Sequence, residues 1–563
     1  MVYSSKARDA DEGIKHTPED KSFFEVYLEH RARCRKEFGV EFIPMSYSSF
    51  YMRKPYEVRS DQRIKSCVCL YHRQAALYVK ALNQCRRQLH VSAKRKLQHG
   101  KECQHAETCW CDCAVCVPGW EVTNYLTPFM NSVLCPRENC SRHFNLACVL
   151  GKCANCSWQK TQGACAMDES RHDQMVNVRL LKAVEKDTPN GTVKKVKVEC
   201  TERKQYHKFM ADMEQELHRF AEHDYVARWQ SDMYHRSIRE LKQGEEVWIA
   251  DYIENFSTFS KVELQQDYFN KDQIAIFVVM KIRWRQKNER NVPQEVSYDL
   301  PAHLCCEVHT FISGDRKHDD GLACLAFEKM AEKAEKEGVL PTRVIFWSDG
   351  APNQFKFTRP VWWLSKFQDR FEFQKVPVWF FFQSCHGKGM QDAAGAWIKS
   401  RVSRAVLLGA EIRSVRDFFA FCERFLCTEA FNSATGSNQK FTAYRKFWLL
   451  GSRELAEYRY TLPKLATWKG IRAEGFFAFW PVGDEVGHVA RRWLACVCDE
   501  CRDGNHGECE YAALHLVDGK NHNEVEIKKL DAHLHADITQ AEDIERSRQV
   551  RQYNCVMLSL YLW

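Results

Sequence analysis

Two short apolar segments, each followed by an aspartate, decide the fold that we expect: Glu246-Val-Trp-Ile-Ala-Asp251 and Val344-Ile-Phe-Trp-Ser-Asp349. Apolar runs of this length, bounded by turn residues, are typical of buried strands. The first segment continues into Tyr-Ile-Glu-Asn255 and the second into Gly350. We therefore expect two buried strands that each present an acid at the end.

The segments around these two runs predict the other strands and helices of one sheet. We predict further strands at Ile274–Ile282, Glu295–Tyr298 and 376–383, and helices at 205–241, 320–337, 353–370 and 390–408. The resulting order from the first strand onward, β-β-β-α-β-α-β-α, favours an α/β fold with a mixed sheet and helices on both faces. Three antiparallel strands would precede two helix-connected parallel strands. This is the strand order of the RNase H-like fold.

Three aspartates occupy related positions in this scheme. Asp251 ends the first strand, Asp349 ends the fourth, and Asp392 begins the last helix. An RNase H-like sheet has its first and fourth strands side by side, so the three carboxylates would converge and repel each other unless cations lie between them. Mg²⁺ and Mn²⁺ prefer oxygen ligands, and a pair of such ions supports phosphodiester chemistry. The three acids are therefore candidate metal ligands and catalytic residues.

Each of these acids also has a plain structural interpretation. Asp349-Gly350 is an ordinary turn sequence, and Asp392 could cap a helix. Other acids compete for a ligand position: Glu254, Asp315 and Asp319. The sequence leaves these alternatives open.

Three longer motifs resemble the core of transposon-derived proteins: Asp251-Tyr-Ile-Glu-Asn255, Ser348-Asp-Gly-Ala-Pro-Asn-Gln-Phe-Lys356 and Ser384-Cys-His-Gly-Lys-Gly-Met-Gln-Asp-Ala-Ala-Gly395. They are similar to DDE/D transposases of the RNase H-like, retroviral-integrase superfamily, over roughly residues 45–400. The resemblance implies that Asp251, Asp349 and Asp392 form a metal-binding triad for two Mg²⁺ or Mn²⁺ ions. It also implies DNA as the substrate and partner. The oligomeric state stays open, with a homo-oligomer among the options.

His386 and Lys388 belong to the turn before the last predicted helix. They are candidates to contact the scissile phosphate, with Lys388 acting as a compact cation. A solvated turn around Gly387-Lys-Gly389 is the alternative.

The clustering of the 27 cysteines predicts structural zinc. The N-terminus has no apolar leader, so we expect a reducing compartment, where cysteines serve as metal ligands or free thiols. The set Cys140, Cys148, Cys153 and Cys156 contains a CxxC pair and has spacings that suit a tetrahedral zinc. Further candidate zinc ligands are Cys67, Cys69 and His72; Cys103, Cys109, Cys111, Cys113 and Cys116; and Cys496, Cys498, Cys501 and Cys509. Buried free thiols are the alternative for each set.

The charge and hydropathy of the chain indicate which partners, DNA or membrane, it could bind. The net charge of +8 permits an anionic partner without requiring one. A basic run in the Cys-rich region is a candidate DNA-binding surface, although it could instead be a solvated helix face. This run comprises Arg86, Arg87, Lys94, Arg95 and Lys96. The most apolar run, 376–382, falls far short of the roughly 20 residues that cross a bilayer, so we expect no membrane partner.

These patterns together predict five regions. They are an N-terminal helical region (1–66), a Cys-rich zinc and DNA-binding region (67–200), a connecting helix (201–241), an RNase H-like catalytic core (242–410) and a smaller α+β region with a Cys cluster (411–563). The function that we predict is transposase-like cleavage and transfer of DNA strands in the nucleus. The alternatives are another RNase H-like nuclease and a domesticated, catalytically silent zinc-containing DNA-binding protein.

Overall fold

The structure, a computed structural model, describes residues 15–16, 58–59, 69–96, 126–135, 144–155, 173–187, 193–260, 271–286, 300–384, 386–387, 389–427, 443–471 and 475–531. It divides the chain into two units, Met1–Val68 and Cys69–Trp563. In the first unit two short strands, β1 (Lys15–His16) and β2 (Val58–Arg59), pair in parallel. All other described elements belong to the second unit.

The second unit begins with helices and a long hairpin. These elements are α1 (Leu70–Lys96), α2 (Leu126–Val133), α3 (Leu146–Val149), β3 (Met175–Asp187), β4 (Val193–Gln205) and α4 (Tyr206–Arg239). β3 and β4 pair antiparallel along their length, and α1 packs against β3 and α4. Helix α4 buries Phe209, Met213, Leu217 and Phe220, whose spacing is that of one helix face. None of the described helices is long and apolar enough to cross a membrane.

The acid-bearing part of the chain forms the centre of a large mixed sheet. Its elements are β5 (Glu245–Ser257), β6 (Gln273–Trp284), β7 (Leu304–Ser313), α5 (Asp320–Lys336), β8 (Arg343–Ser348), α6 (Thr358–Phe371), β9 (Val378–Phe381) and α7 (Met390–Leu407). β5, β6 and β7 form an antiparallel meander, whereas β8 is parallel to β5 and to β9. The spatial order is β7-β6-β5-β8-β9, so the first and fourth strands of this group are neighbours.

The C-terminal residues extend the same sheet on both sides. Their elements are α8 (Val415–Phe425), β10 (Ala443–Leu450), α9 (Ser452–Thr461), β11 (Ala478–Pro481), β12 (His488–Arg492), α10 (Asp499–Arg502), β13 (Leu516–Val517), β14 (Lys520–Asn521) and β15 (Glu526–Lys529). β10 pairs with β7, and β11, β12 and β15 continue the sheet beyond β9. Residues 411–563, which we had assigned to a smaller region of their own, therefore contribute four strands to a nine-stranded sheet within the described part of the chain.

Aromatic side chains fill the layer beside the central strands. Trp248 on β5, Trp347 on β8 and Trp379 on β9 are almost fully buried. Phe327 on α5 lies with its ring centroid 4.8 Å from that of Phe346 on β8. Burying a large apolar side chain contributes about 1.5–3 kcal/mol relative to leaving it exposed. This packing favours one register of β5, β8 and β9 over its alternatives.

The third strand lies elsewhere than the sequence suggested. Glu295–Tyr298, our prediction, falls outside the described residues, and the third strand of the sheet is Leu304–Ser313. Glu307 and His309 interrupt the apolar pattern there, yet all ten residues are buried. Charged groups from neighbouring strands compensate them, as in the 2.6 Å contact from Arg283 Nε to Glu307 Oε1.

β5 is longer than predicted. We expected the first strand to end at Asp251, but it continues to Ser257 with a bulge between Ile253 and Phe256. The added residues pair with β6, which provides their backbone partners. The pairing of β5 with β8 does stop at Ala250, opposite Ser348. Asp251 therefore follows the end of a ladder and not the end of a strand.

Candidate functional site

Two acids lie next to each other at the centre of the sheet. Asp251 and Asp349 each follow the last paired residues of the parallel ladder between β5 and β8. Neighbouring strands are about 4.8 Å apart, so the two acids occupy adjacent positions at the same edge of the ladder.

The loop from β9 to α7 brings the third acid toward this pair. Phe382 donates its backbone N–H to the carbonyl of Ser348 at 2.9 Å, which ties the loop to the end of β8. Gly387 then passes so close that a Cβ on it would lie 3.4 Å from Asp349 Cβ. On α7, Gly395 leaves room for Ile253 of β5, which a Cβ would overlap. Helix α7, whose first turn carries Asp392, packs against β5 and β6.

The electrostatics of the three acids are coupled. Burial, together with the charges of Asp349 and Asp392, raises the pKa of Asp251 to about 8. Burial and the charge of Asp392 also raise the pKa of Asp349, although the backbone N–H of Ala351 opposes this shift. A carboxylate whose pKa is raised by burial and by neighbouring negative charge favours the binding of either a proton or a cation.

Asp392 also caps its helix, which is the alternative that the sequence left open. Its Oδ2 accepts the backbone N–H of Gly389 at 3.0 Å, and the residue is exposed. Within the described part of the chain, the three acids are not among the groups whose ligand atoms all lie within 4.8 Å of one another. Direct ligation of one ion by all three would therefore require the carboxylates to move together.

The competing acids have other partners. Arg459 forms ion pairs with both Asp315 and Asp319, the second at 2.8 Å from its Nε. Asp319 also caps α5 by accepting the N–H of Leu322. Glu254 is almost fully exposed and lies 3.4 Å from Lys399 Nζ. Asp392, by contrast, contributes to the raised pKa of both Asp251 and Asp349 through its negative charge.

His386 lies in a second cluster beside the acids, and Lys388 lies outside the described residues. The Nε2 atom of His386 is 3.1 Å from Nε2 of His223 on α4. His223 Nε2 in turn lies 3.2 Å from Sγ of Cys69, the residue before α1. His72, in the first turn of α1, completes a group of four whose ligand atoms all lie within 4.8 Å. We call Cys69, His72, His223 and His386 the Cys–His cluster.

The surroundings of the Cys–His cluster favour a thiolate. Burial alone would raise the pKa of Cys69, but hydrogen bonds from His223, His386 and His72 lower it to about 3. Burial opposes protonation of His72, whereas Asp224 and Cys69 raise its pKa to about 9. A thiolate among imidazoles is a donor set that could hold a metal ion such as zinc.

Four C-terminal cysteines form a buried sulfur cluster. Cys496 Sγ lies 3.4 Å from Cys498 Sγ and 3.6 Å from Cys509 Sγ, and Cys501 completes the group. Four sulfurs around one zinc at 2.3 Å would be about 3.8 Å apart. Hydrogen bonds from Cys496 and Cys501 lower the pKa of Cys498 to about 5. This group could hold a metal ion such as zinc.

The C-terminal sulfur cluster is fixed to the start of the central strands. Arg502, on the short helix α10 that carries Cys501, forms a 2.6 Å ion pair with Glu245 at the start of β5, and both side chains are buried. Arg343, the first residue of β8, donates to the carbonyl of Arg502 at 3.1 Å. The cluster therefore supports the ends of β5 and β8 opposite to the ends that lead to the acids.

A third group of cysteines matches its prediction in part. Cys148 and Cys153 lie together, as expected, but the described partner is Cys135, with Sγ 3.8 Å from that of Cys153. The other predicted members, Cys140 and Cys156, lie outside the described residues, as do Cys67, Cys103, Cys109, Cys111, Cys113 and Cys116. The predicted set did not include Cys135, which precedes Cys140 by five positions.

The basic run lies on α1. Arg86, Arg87, Lys94, Arg95 and Lys96 belong to the C-terminal half of this helix, whose N-terminal end carries His72. The helix thus connects the predicted DNA-binding run with the Cys–His cluster.

Sequence reasoning missed His223 entirely. It is buried within a long amphipathic helix, and no cysteine or second histidine lies within four residues of it in the sequence. Only the packing of α4 against α1 brings it to Cys69 and His72. The adjacent Asp224, which lies 3.7 Å from His72 Nε2, was an available signal, since a buried His-Asp pair on an apolar face needs partners.

Comparison with protein families matches residues 230–440 to a family described as Domain of unknown function (DUF8701). The matched segment contains the five central strands, the three acids and His386. Searches of the curated proteins and of the solved structures gave no match.

Proposed function

We propose that this chain cleaves and transfers DNA strands in the manner of a transposase, and that its five central strands are an RNase H-like core. The observation that carries the proposal is the adjacency of Asp251 and Asp349 beyond the β5–β8 ladder, with Asp392 at the start of α7. The spatial order β7-β6-β5-β8-β9 supports it, because an RNase H-like core has its first and fourth strands side by side. Asp251, Asp349 and Asp392 are the proposed catalytic acids.

The proposed cofactors of the acids are two Mg²⁺ or Mn²⁺ ions. The donor set consists of carboxylate oxygens, and a divalent cation would offset the burial and the neighbouring negative charges that raise the pKa of Asp251. Such ions, when bound, activate a water or a 3′-hydroxyl and stabilise the leaving oxygen of a phosphodiester. The protein places Asp251 on β5, Asp349 directly after β8 and Asp392 in the first turn of α7.

The proposed partner is DNA, which would place the protein in the nucleus. The basic run on α1 supports this, because the same helix reaches the Cys–His cluster beside the acids. Lys388 is proposed to contact the scissile phosphate. His386 is better suited to the Cys–His cluster, since its Nε2 atom faces His223.

Zinc is the proposed structural metal of the C-terminal sulfur cluster and of the group around Cys148 and Cys153. The sulfur separations in both groups suit tetrahedral thiolate ligation.

The test is strand cleavage by the full chain. We expect Mg²⁺-dependent nicking of a supercoiled plasmid that carries the DNA flanking the gene, and a loss of roughly 100-fold or more for Asp251→Asn. Asp369→Asn, an exposed acid on α6, is the matched control and should cleave like the wild type. Nicks without joined products would favour another RNase H-like nuclease. Equal residual cleavage by the wild type and Asp251→Asn would contradict the proposal.

One observation favours a second candidate, a domesticated DNA-binding protein without catalysis. Asp392 is engaged in a helix cap and the triad is not closed. Under this alternative the wild type binds DNA in a salt-dependent manner, but cleaves none with either Mg²⁺ or Mn²⁺.

A further inference from the structure

The Cys–His cluster gathers ligands from three separate segments of the chain. Cys69 and His72 flank the start of α1, His223 lies in the middle of α4, and His386 lies in the loop between β9 and α7. We propose that these four side chains bind one zinc ion, which fastens the loop before α7 to α1 and α4. The distances within the Cys–His cluster support the zinc site independently of the function proposed above. Its effect on the acids rests on the function proposed above.

The distances suit a single tetrahedral ion. Bond lengths of 2.0–2.1 Å to nitrogen and 2.3 Å to sulfur imply nitrogen–nitrogen separations of about 3.3 Å and nitrogen–sulfur separations of about 3.6 Å. The observed values are 3.1 Å between His223 and His386 and 3.2 Å between Cys69 and His223. The ligand atoms of the whole group lie within 4.8 Å. Small outward shifts would therefore admit the ion.

The donor types select zinc over a hard cation. One thiolate and three imidazoles suit Zn²⁺, whereas Mg²⁺ prefers oxygen. A carboxylate contacts one of the ligands: Asp224 Oδ1 lies 3.7 Å from His72 Nε2. Asp224 also forms an ion pair with Arg228. The Nδ1 atom of His72 is buried and has no hydrogen-bond partner, so a metal ion would give this nitrogen a partner. Carboxylates behind metal-bound histidines orient the ring in many zinc sites.

Ordinary hydrogen bonding leaves part of the cluster unsatisfied. The two facing Nε2 atoms of His223 and His386 need one proton between them, and Sγ of Cys69 approaches the same His223 nitrogen. Nδ1 of the buried His223 has no hydrogen-bond partner either. A buried ring with one crowded nitrogen and one unpaired nitrogen is costly as a purely structural residue. A metal ion would use the crowded lone pairs together.

A short path joins the proposed zinc site to the acids. His386 precedes Gly387, which passes against Asp349. The side-chain amide of Gln391 on α7 donates to the carbonyl of Gly387, and Asp392 follows in the same turn. Fixing His386 would therefore fix the position of the loop and of the third acid. Zinc at this site would organise the acid centre without contacting the substrate.

Zinc content tests the site directly. The full chain, prepared without a histidine tag, should lose one zinc per chain on His223→Asn or His386→Asn, as measured by elemental analysis. His207→Asn, an exposed histidine at the start of the same helix α4, should retain the wild-type content. His386→Asn guards against a folding artefact, because the residue lies in a loop. Unchanged zinc in both cluster variants would overturn the proposal.

Hydrogen exchange tests the fastening role. With the zinc lost, the amides of His386, Gly387 and Gly389 should exchange faster by about tenfold, while those of β5 and β8 keep their protection. Zinc loss without faster exchange in the loop would refute the fastening role. Asp251→Asn should keep its full zinc content, so a failure of strand cleavage and a failure of the zinc site are separate results.

Discussion

Asp251 and Asp349 lie side by side where two parallel strands stop pairing, one residue beyond the Ala250–Ser348 pair. On one side of this point β5 continues and pairs with β6, and on the other side β8 ends at Ser348. The two acids are therefore fixed by strands, whereas Asp392 depends on how α7 is held.

Asp251→Asn should stabilise the protein increasingly as the pH rises. The folded-state pKa of Asp251 is raised to about 8, above an ordinary value near 4. The contribution of Asp251 to stability is thus full below about pH 4 and is lost as the pH rises through about 8. Asparagine does not ionise, so its gain in Tm over the wild type, without added Mg²⁺, should be larger at about pH 8.5 than at about pH 5.5. A gain that is independent of pH would contradict the assigned cause.

Gly395→Ala should destabilise the protein and displace α7. The new Cβ would overlap Ile253 on β5, and overpacking of this kind costs about 1–3 kcal/mol. Strand cleavage should fall with it, because Asp392 lies one turn earlier. Ile253→Ala in the same chain should recover part of the loss, which a double-mutant cycle in chemical denaturation would measure. Losses that simply add would refute the contact.

Cys498→Ser should release one zinc and lower Tm by roughly 10 °C or more, because structural zinc contributes folding free energy. The effect should extend to β5 and β8, since Arg502 and Glu245 form a buried pair beside the cluster. Cys200→Ser, a cysteine on β4 outside the clusters, is the control for thiol loss. Elemental analysis and thermal denaturation decide the result. Equal zinc content in the two variants would show that the four sulfurs bind no metal.

Binding to DNA should weaken steeply as salt rises, because neutralised phosphates release counterions. Replacing Lys94, Arg95 and Lys96 with alanine should reduce the slope of log K against log salt by about one for each phosphate contact removed. Lys336→Ala, an exposed lysine on α5, should leave the slope unchanged. Fluorescence anisotropy over a salt series measures both. An unchanged slope in the triple variant would assign the basic run to a solvated helix face.

Much of the central sheet could be predicted because its strands carry a local signal. The runs that end near Asp251 and Asp349 are apolar and bounded by turns, and the helices between them have clear periodicity. The third strand could not be placed, because Glu307 is buried through ion pairs with Arg283 and Lys281 of β6, and His309 through its contact with Glu307. The C-terminal strands β10, β11, β12 and β15 join the sheet through long-range pairing that no local pattern reveals.

Of two cysteine-containing sites, one could be predicted from the sequence and the other could not. The spacing of Cys496, Cys498, Cys501 and Cys509 predicted a cluster because all four lie on one short segment. The Cys–His cluster could not be predicted, since its members come from positions 69 to 386 and depend on the packing of α1 against α4. His386 appeared to belong with the acids because it is close to Asp392 in sequence, whereas the fold directs its ring toward His223.

The most direct test of the central claim is the binding of Mn²⁺ to the three acids, measured by titration with electron paramagnetic resonance detection on the full zinc-loaded chain. We expect the wild type and Asp369→Asn to bind Mn²⁺ equally, and Asp251→Asn and Asp349→Asn to weaken binding by roughly 100-fold. Asp392→Asn should weaken it less, since this acid must first leave its cap. Equal Mn²⁺ binding by the wild type and Asp251→Asn would contradict the account.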